Sequence, residues 1–272
     1  MGQTSVMSII DTASSGMVRV SRFGELHLPK LVLVHGFLGA KEDWLACMPI
    51  LSQQFHCICV DLPGHGQSRA QLPTPGLEAA AQAIIATLSS LQCHQFHLVG
   101  YSLGGRIALH IAKLFPHKLL SLTLESAHPG LTDDKQRDER LNADKQWAEK
   151  LQRLPIAQFL QLWYQQGVFS DLTEDEVAKL IAKRSNNNNQ ALLNCYLATS
   201  LGHQQDCRNV ISQLKQPCHI IVGQHDQKFS KLAKQWQTEQ PLNVISVEHA
   251  GHNIHSLQPQ LFSQQLLKLL NK

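Results

Sequence analysis

The chain has 272 residues, of which 43% are hydrophobic and 17% charged. That is enough apolar material for a sizeable core, and the length suits one α/β domain carrying an insertion. The formal net charge of +3, with no basic stripe interleaved with aromatics, excludes nucleic acid as the expected partner, and no apolar run approaches the ~18–20 residues of a spanning helix, so no membrane insertion is expected.

The opening "MGQTSVMSIIDTASSG" lacks a basic segment followed by a long apolar one, so no signal peptide is expected. Met1-Gly2 invites comparison with a myristoylation signal, but Val6 stands where that signal requires Ser or Thr. Met7 is an alternative start, which would make residues 1–6 dispensable. The seven cysteines are odd in number and form no C-x-x-C. They are expected to be small, buried, reduced thiols, which fits a cytoplasmic location; a monomer is expected.

Along the chain, "LVLVHGF" (31–37) is a continuous apolar run broken at Gly36, the pattern of a strand covered on both faces. "FHCICVDLPGHGQS" (55–68) repeats it, with Asp61 and a Pro63-Gly64 turn at its end. "LEAAAQAIIATLSSL" (77–91) follows with a helical period. "HLVGYS", "LLSLTLES" (119–126), "CHIIVGQHD" (218–226) and "LNVISVEHAGH" (242–252) supply four more strands, with a helix over "GGRIALHIAKLF" (104–115) and a closing helix over "PQLFSQQLLKLL". Strands alternating with helices predict a mostly parallel sheet covered on both faces. Between residues 130 and 206 the alternation stops, and the pattern is polar and helical. The predicted organisation is a core over 7–129 and 207–272 with a helical cap inserted at 130–206. "NNNN" (186–189) is expected to be a helix cap or turn.

The chemistry begins at Gly100-Tyr101-Ser102-Leu103-Gly104, a G-x-S-x-G between a predicted strand and a predicted helix. This pattern forces the serine into a sharp turn that exposes its hydroxyl above the sheet. A serine hydroxyl needs a histidine to take its proton. Asp226 follows one strand and His252 the last, in the chain order Ser, acid, His that such an elbow requires. Asp226 could instead be a turn or helix-cap residue, Glu125 is an alternative acid at the end of another strand, and His249 and His255 are rivals to His252. Backbone N–H groups of Leu103 and, in "HGF", of Phe37 are candidates for an oxyanion hole. Asp61, His65 and Ser68 lie too close together in one Gly-rich loop to form a second triad. No histidine spacing suggests a metal site, and no cofactor is expected.

Arg106 lies one helical turn beyond Ser102. The insertion adds Arg137, Arg140 and Arg184, together with the aromatic pair Trp163-Tyr164. An arginine beside the nucleophile and arginines in a cap suit a small anionic polycarboxylate ligand, because planar guanidinium meets carboxylate bidentately.

Taken together, "LVHGF", "DLPGHGQS", "GYSLGG", "GQHD" and "AGHNIH" resemble the α/β-hydrolase fold with a helical cap, over almost the whole chain. More specifically, "ESAHPGL", "QRDERLNADKQW", "WYQQGVF", "RSNNN", "GQHDQKF" and "AGHNIH" resemble the 2-succinyl-6-hydroxy-2,4-cyclohexadiene-1-carboxylate synthases of menaquinone biosynthesis. That resemblance implies a lyase that removes pyruvate from a tricarboxylate. It implies Ser102, activated by His252 and Asp226, as the base that takes a carbon-bound proton. Phe37 and Leu103 would stabilise an enolate oxygen, Arg106, Arg140 and Arg184 would hold carboxylates, and Tyr101 and Trp163 would wall the pocket. The competing reading is a serine hydrolase that uses the same triad through an acyl-serine.

Overall fold

The computed structural model describes the backbone of residues 8–10 and all of residues 18–271. The alternative start at Met7 and residues 1–6 lie outside the described residues. Eight strands form one sheet: β1 (Ser8–Ile10), β2 (Val20–Phe23), β3 (Lys30–Val34), β4 (His56–Val60), β5 (Phe96–Tyr101), β6 (Leu119–Glu125), β7 (Cys218–Gly223) and β8 (Asn243–Val247). Their spatial order is β1-β2-β4-β3-β5-β6-β7-β8. β1 and β2 pair antiparallel, β2 joins β4 antiparallel, and every pairing from β4 to β8 is parallel. The sequence reading anticipated β3 to β8 and missed β1 and β2. Val20-Ser21-Arg22-Phe23 is four residues long and half polar, too short to show a period.

The central strands are apolar on both faces because both faces are covered. Val32 and Val34 of β3 join a core with Ile84, Leu88, Ile107 and Trp236, from helices α1 (Leu77–Ser90), α2 (Leu103–Leu114) and the later helix Gln227–Glu239. Leu31 and Leu33, the alternate residues, pack into a second core with Trp44, Leu51 and Phe262. That two-residue alternation is the strand period expressed as two hydrophobic cores. All seven cysteines are free and buried, and Cys57 and Cys59 of β4 lie in the second core.

Residues 130–206 hold no strand. They form α3 (Asp134–Arg153), α4 (Ile156–Trp163), α5 (Glu174–Arg184) and α6 (Asn189–Ala198). These helices build a third core from Leu151, Phe159, Leu160, Tyr164, Leu192 and Tyr196, joined by Leu38 from the loop after β3. The ends of the stretch meet where the Cys207 N–H donates to Pro129 C=O at 2.7 Å. The asparagine tract works as the sequence suggested. Asn188 caps α6 by accepting from the Ala191 N–H, Asn189 donates to the carbonyls of Leu151 and Leu154, and Asn187 donates to the Leu38 carbonyl. The chain continues into α7 (Gln227–Glu239) and α8 (Pro259–Leu270).

Candidate active site

Ser102 stands between β5 and α2 with φ 49° and ψ −109°, outside the regions open to L-residues. The turn is possible because glycines flank it. A Cβ on Gly104 would lie 2.3 Å from the Val34 carbonyl oxygen, and one on Gly100 would lie 2.5 Å from that of Gly104. Two backbone bonds lock the turn: Ser102 N–H donates to Glu125 C=O at 2.9 Å, and Arg106 N–H donates to Ser102 C=O at 3.0 Å.

His252 Nε2 lies 3.4 Å from Ser102 Oγ, and His252 Nδ1 donates to Asp226 Oδ2 at 2.6 Å. Both His252 and Asp226 are buried. The serine–histidine separation is long, as in many ligand-free sites where this bond tightens only on the reacting complex. Asp226 is also the cap of α7, since its Oδ1 accepts the Phe229 N–H at 3.1 Å. The helix cap and the contact with His252 coexist, one on each carboxylate oxygen.

The rivals have other positions. His249 is exposed. Glu125 is fully buried and accepts from Ile254 N–H, His255 N–H and His255 Nδ1 at 2.7, 3.0 and 2.7 Å. His255 in turn stacks on Trp44. Glu125 therefore anchors the turn that follows His252. Tyr101 lies between the rings of His252 and His255, at 5.4 and 4.9 Å, beneath Gly36. It is buried and does not line the cavity beside Ser102.

The loop after β3 is held by two neutral histidines. His35 Nε2 accepts the Leu62 N–H at 3.0 Å, and His65 Nε2 accepts the Leu38 N–H at 3.1 Å. Burial pushes both rings below the ordinary histidine range, His65 to about 3. Leu38 has φ 67°, a strained value that the His65 and Asn187 bonds sustain. The Phe37 N–H meets no protein acceptor among the described residues, and Leu103 opens α2, where the first N–H groups have no partner within the helix. Asp61 is structural, as expected. It receives Lys41 Nζ, Lys41 N–H and Gln67 N–H, and Lys41 is itself buried.

Ser102 opens on a cavity of about 100 Å³ lined by Phe37, Leu103, Arg106, Arg140, Asp144, Trp163, Tyr196, Thr199 and Ser200. Arg106 donates through Nε to Gln204 Oε1 and through Nη2 to the Thr199 carbonyl at 2.7 Å. Both acceptors are neutral. Burial and the neighbouring charge of Arg140 push its pKa down, and the charge of Asp144 offsets this in part. Arg140 donates through Nε to Asp144 Oδ1 at 2.8 Å. Trp163 packs against Phe37, Trp147 and Phe159.

Arg184 and Arg137 stand elsewhere. Arg184 is buried, with Nη1 on the Tyr164 hydroxyl and Nη2 at 3.5 Å from Asp43 Oδ2. It is not among the cavity-lining residues, and its charge is matched inside the protein. Burial would raise the Asp43 pKa, but Arg184 and Lys183 outweigh it and hold the carboxyl well below its usual range. Arg137 pairs with Asp134 and the Leu131 carbonyl. The residues that the sequence reading missed are Asp144, Tyr196, Thr199 and Ser200. Only Asp144 left a trace, one helical turn from Arg140, and that spacing is also the commonest surface ion pair.

The chain belongs to the alpha/beta hydrolase fold family, whose model matches residues 29–259. Among its relatives are 2-succinyl-6-hydroxy-2,4-cyclohexadiene-1-carboxylate synthases. It is 39% identical to that of Enterobacter sp. (strain 638), over 92% of this chain and 95% of the relative. It is 37% identical to that of Pectobacterium atrosepticum, over 89% and 94%. In structure it resembles MenH from S. aureus, with a TM-score of 0.86, 24% identity and coverage of 93% and 97%. It also resembles a thermophilic esterase from Thermogutta terrifontis, with a TM-score of 0.78, 21% identity and coverage of 99% and 98%.

Proposed function

We propose that this protein is a lyase that eliminates pyruvate from 2-succinyl-5-enolpyruvyl-6-hydroxy-3-cyclohexene-1-carboxylate, giving 2-succinyl-6-hydroxy-2,4-cyclohexadiene-1-carboxylate in menaquinone biosynthesis. The observation that carries this reading is one cavity holding a histidine-linked serine beside two guanidiniums, of which Arg106 has no carboxylate partner. An enzyme of neutral acyl esters gains nothing from that pair, whereas a substrate with three carboxylates does. The names of the relatives support the same reaction.

In this mechanism His252, oriented by Asp226, accepts the Ser102 proton as the Ser102 oxygen removes a proton from the ring carbon. Negative charge spreads to the succinyl ketone oxygen, toward the N–H groups of Phe37 and Leu103. One such donor is worth about 2.7–4 kcal/mol of barrier. The bond from the ring to the enolpyruvyl oxygen breaks, and the leaving group takes up a proton to become pyruvate. The elimination needs no electron acceptor. Arg106 and Arg140 hold carboxylates, Trp163 walls the ring, Tyr101 backs His252, and Arg184 joins them only by releasing Asp43. Residues 130–206 act as a cap. The cavity of about 100 Å³ is smaller than the roughly 300 Å³ of an ordinary ligand site, so the cap side chains shift to admit substrate.

The test is enzyme-dependent pyruvate release from the enolpyruvyl substrate, generated in place by the enzyme that makes it. Fast release that Ser102→Ala abolishes is the expected result. No excess over spontaneous elimination, together with an acyl-serine adduct in mass spectra after exposure to acyl-CoA or carboxylated esters, would replace this reading with the hydrolase.

A further inference from the structure

A buried carboxylate is out of place in a cavity that is to receive carboxylates, yet Asp144 lines it. Its side chain is only 4% exposed. Oδ1 accepts from Arg140 Nε at 2.8 Å and from the Tyr196 hydroxyl at 2.8 Å, and Oδ2 accepts from the Ser200 hydroxyl at 2.6 Å. These three donors come from three places: α3 itself, α6, and the turn after α6. Three donors on one buried carboxylate fix it in place.

The consequence falls on Arg140. Asp144 engages it through Nε alone, and Nη1 and Nη2 form no hydrogen bond with the described residues. Arg106 is held at two nitrogens, with Nε on Gln204 and Nη2 on Thr199. Arg140 is thus gripped from its stem side with both terminal nitrogens left for a ligand, whereas Arg106 keeps only Nη1 open. Arg140 and Arg106 are close enough that the charge of one lowers the pKa of the other, and Asp144 offsets part of that repulsion. Burial and the Asp144 charge also hold Tyr196 as a neutral hydroxyl donor.

We propose that Asp144 is a positioning residue of the anion site. It orients Arg140 and keeps two guanidiniums together, so that a ligand carboxylate meets an assembled fork. This inference deepens the lyase reading by naming what sets its carboxylate specificity, and it rests on that reading for the identity of the natural ligand only.

The test is a double-mutant cycle of Asp144→Asn and Arg140→Ala, read by calorimetric binding of tricarballylate, a simple tricarboxylate, and by KM and kcat for pyruvate release. Asn keeps the shape and one acceptor oxygen, and its amide can donate to the Ser200 oxygen, so the fold is preserved. Thermal unfolding of each variant checks this. Asp144→Asn is expected to weaken tricarballylate about tenfold and to raise KM by a similar factor, with kcat changed less than about twofold. In the Arg140→Ala background it is expected to have no further effect, because Asp144 acts through Arg140. An equal loss in both backgrounds, tighter binding in Asp144→Asn, or no binding of tricarballylate by the parent at millimolar concentrations would each overturn the proposal. Failure of the lyase reading shows differently: the parent releases no pyruvate while the binding cycle keeps its coupling.

Discussion

Asp226 serves two donors with its two oxygens: His252 Nδ1 at 2.6 Å and the Phe229 N–H, which opens α7, at 3.1 Å. Activity and stability therefore separate under substitution. Asn retains the oxygen that caps the helix, but it offers an N–H or a weaker acceptor to the imidazole and favours the wrong tautomer. Asp226→Asn is expected to lower kcat roughly 10³–10⁴-fold, as loss of a triad acid does elsewhere, with unfolding free energy changed by less than about 1 kcal/mol. Asp226→Ala loses the cap as well and is expected to cost about 1 kcal/mol more. Urea unfolding beside steady-state pyruvate release checks both. Comparable activity in Asp226→Asn and the parent would remove Asp226 from the triad.

Glu125 gives the contrasting result. Its carboxylate is fully buried among three donors from residues 254 and 255 and touches neither Ser102 nor the cavity beside it. Glu125→Ala leaves a buried histidine and two N–H groups without their acceptor, and it is expected to cost about 3–5 kcal/mol in unfolding free energy. Glu125→Gln, which can still accept from the two N–H groups, is expected to retain at least a tenth of the parent's kcat. A loss matching that of Asp226→Asn would move the triad acid to Glu125.

These two acids show how far the sequence can be read. Chain order and strand ends pointed to Ser102, Asp226 and His252, which the structure brings within hydrogen-bonding reach, and left Glu125 as a rival. Nothing in the spacing told that Glu125 holds the turn after His252, because that depends on β6 lying beside β7. The strands β3 to β8 were legible because burial on both faces writes an unbroken apolar run. β1 and β2 were not, being short, partly polar and paired antiparallel at one margin of the sheet. The arginines were legible as charges but not as partners. Arg106 meets neutral acceptors, Arg140 meets Asp144, and Arg184 meets Asp43, which lies 141 positions away in the chain. Long-range pairing of that kind leaves no period in the sequence.

The buried histidines are expected to lower stability at acid pH. Burial is the largest cause in each case and holds His65 and His128 at about 3 and His110 at about 4, with His35 also lowered. In the unfolded chain each titrates near 6.5. Between those values the unfolded state binds more protons, so stability is fully present above about pH 6.5 and declines as pH falls toward 3. His65→Gln keeps an acceptor for the Leu38 N–H and cannot titrate. It is expected to be less stable at pH 7.5 but to lose stability less steeply below pH 6.5, by up to about 1.4 kcal/mol per pH unit. Urea titrations at a series of pH values test this, and an unchanged slope would mean that His65 titrates in the folded state.

Arg106 is a cation held by neutral oxygens, so removing it costs the fold little and the ligand much. Arg106→Ala is expected to lower kcat/KM by about 10–100-fold or more, the value of one charge-assisted contact. Its unfolding free energy is expected to stay within about 1 kcal/mol of the parent, because loss of two hydrogen bonds is offset by relief from burying an unmatched charge. Tricarballylate should raise the melting temperature of the parent and not that of the variant. An unchanged kcat/KM would place Arg106 outside the site.

Ser102 carries the opposite balance. At φ 49° and ψ −109° it occupies backbone space that costs a residue with a Cβ of order 1–3 kcal/mol, and glycine much less. Ala keeps the Cβ and therefore the strain. Both Ser102→Ala and Ser102→Gly lose the hydroxyl proposed as the base and are expected to be inactive. At an ordinary position glycine is less stable than alanine by about 0.5–1 kcal/mol, whereas here Ser102→Gly is expected to exceed Ser102→Ala by roughly 0.5–2 kcal/mol. Equilibrium urea unfolding of the two inactive variants decides it, and the pair isolates the backbone from the hydroxyl. If alanine proves the more stable, the flanking bonds from Glu125 and Arg106 hold the turn without strain. If glycine does, the half-buried serine is maintained against its own backbone preference, which is the exchange of stability for reactivity that a nucleophile elbow implies.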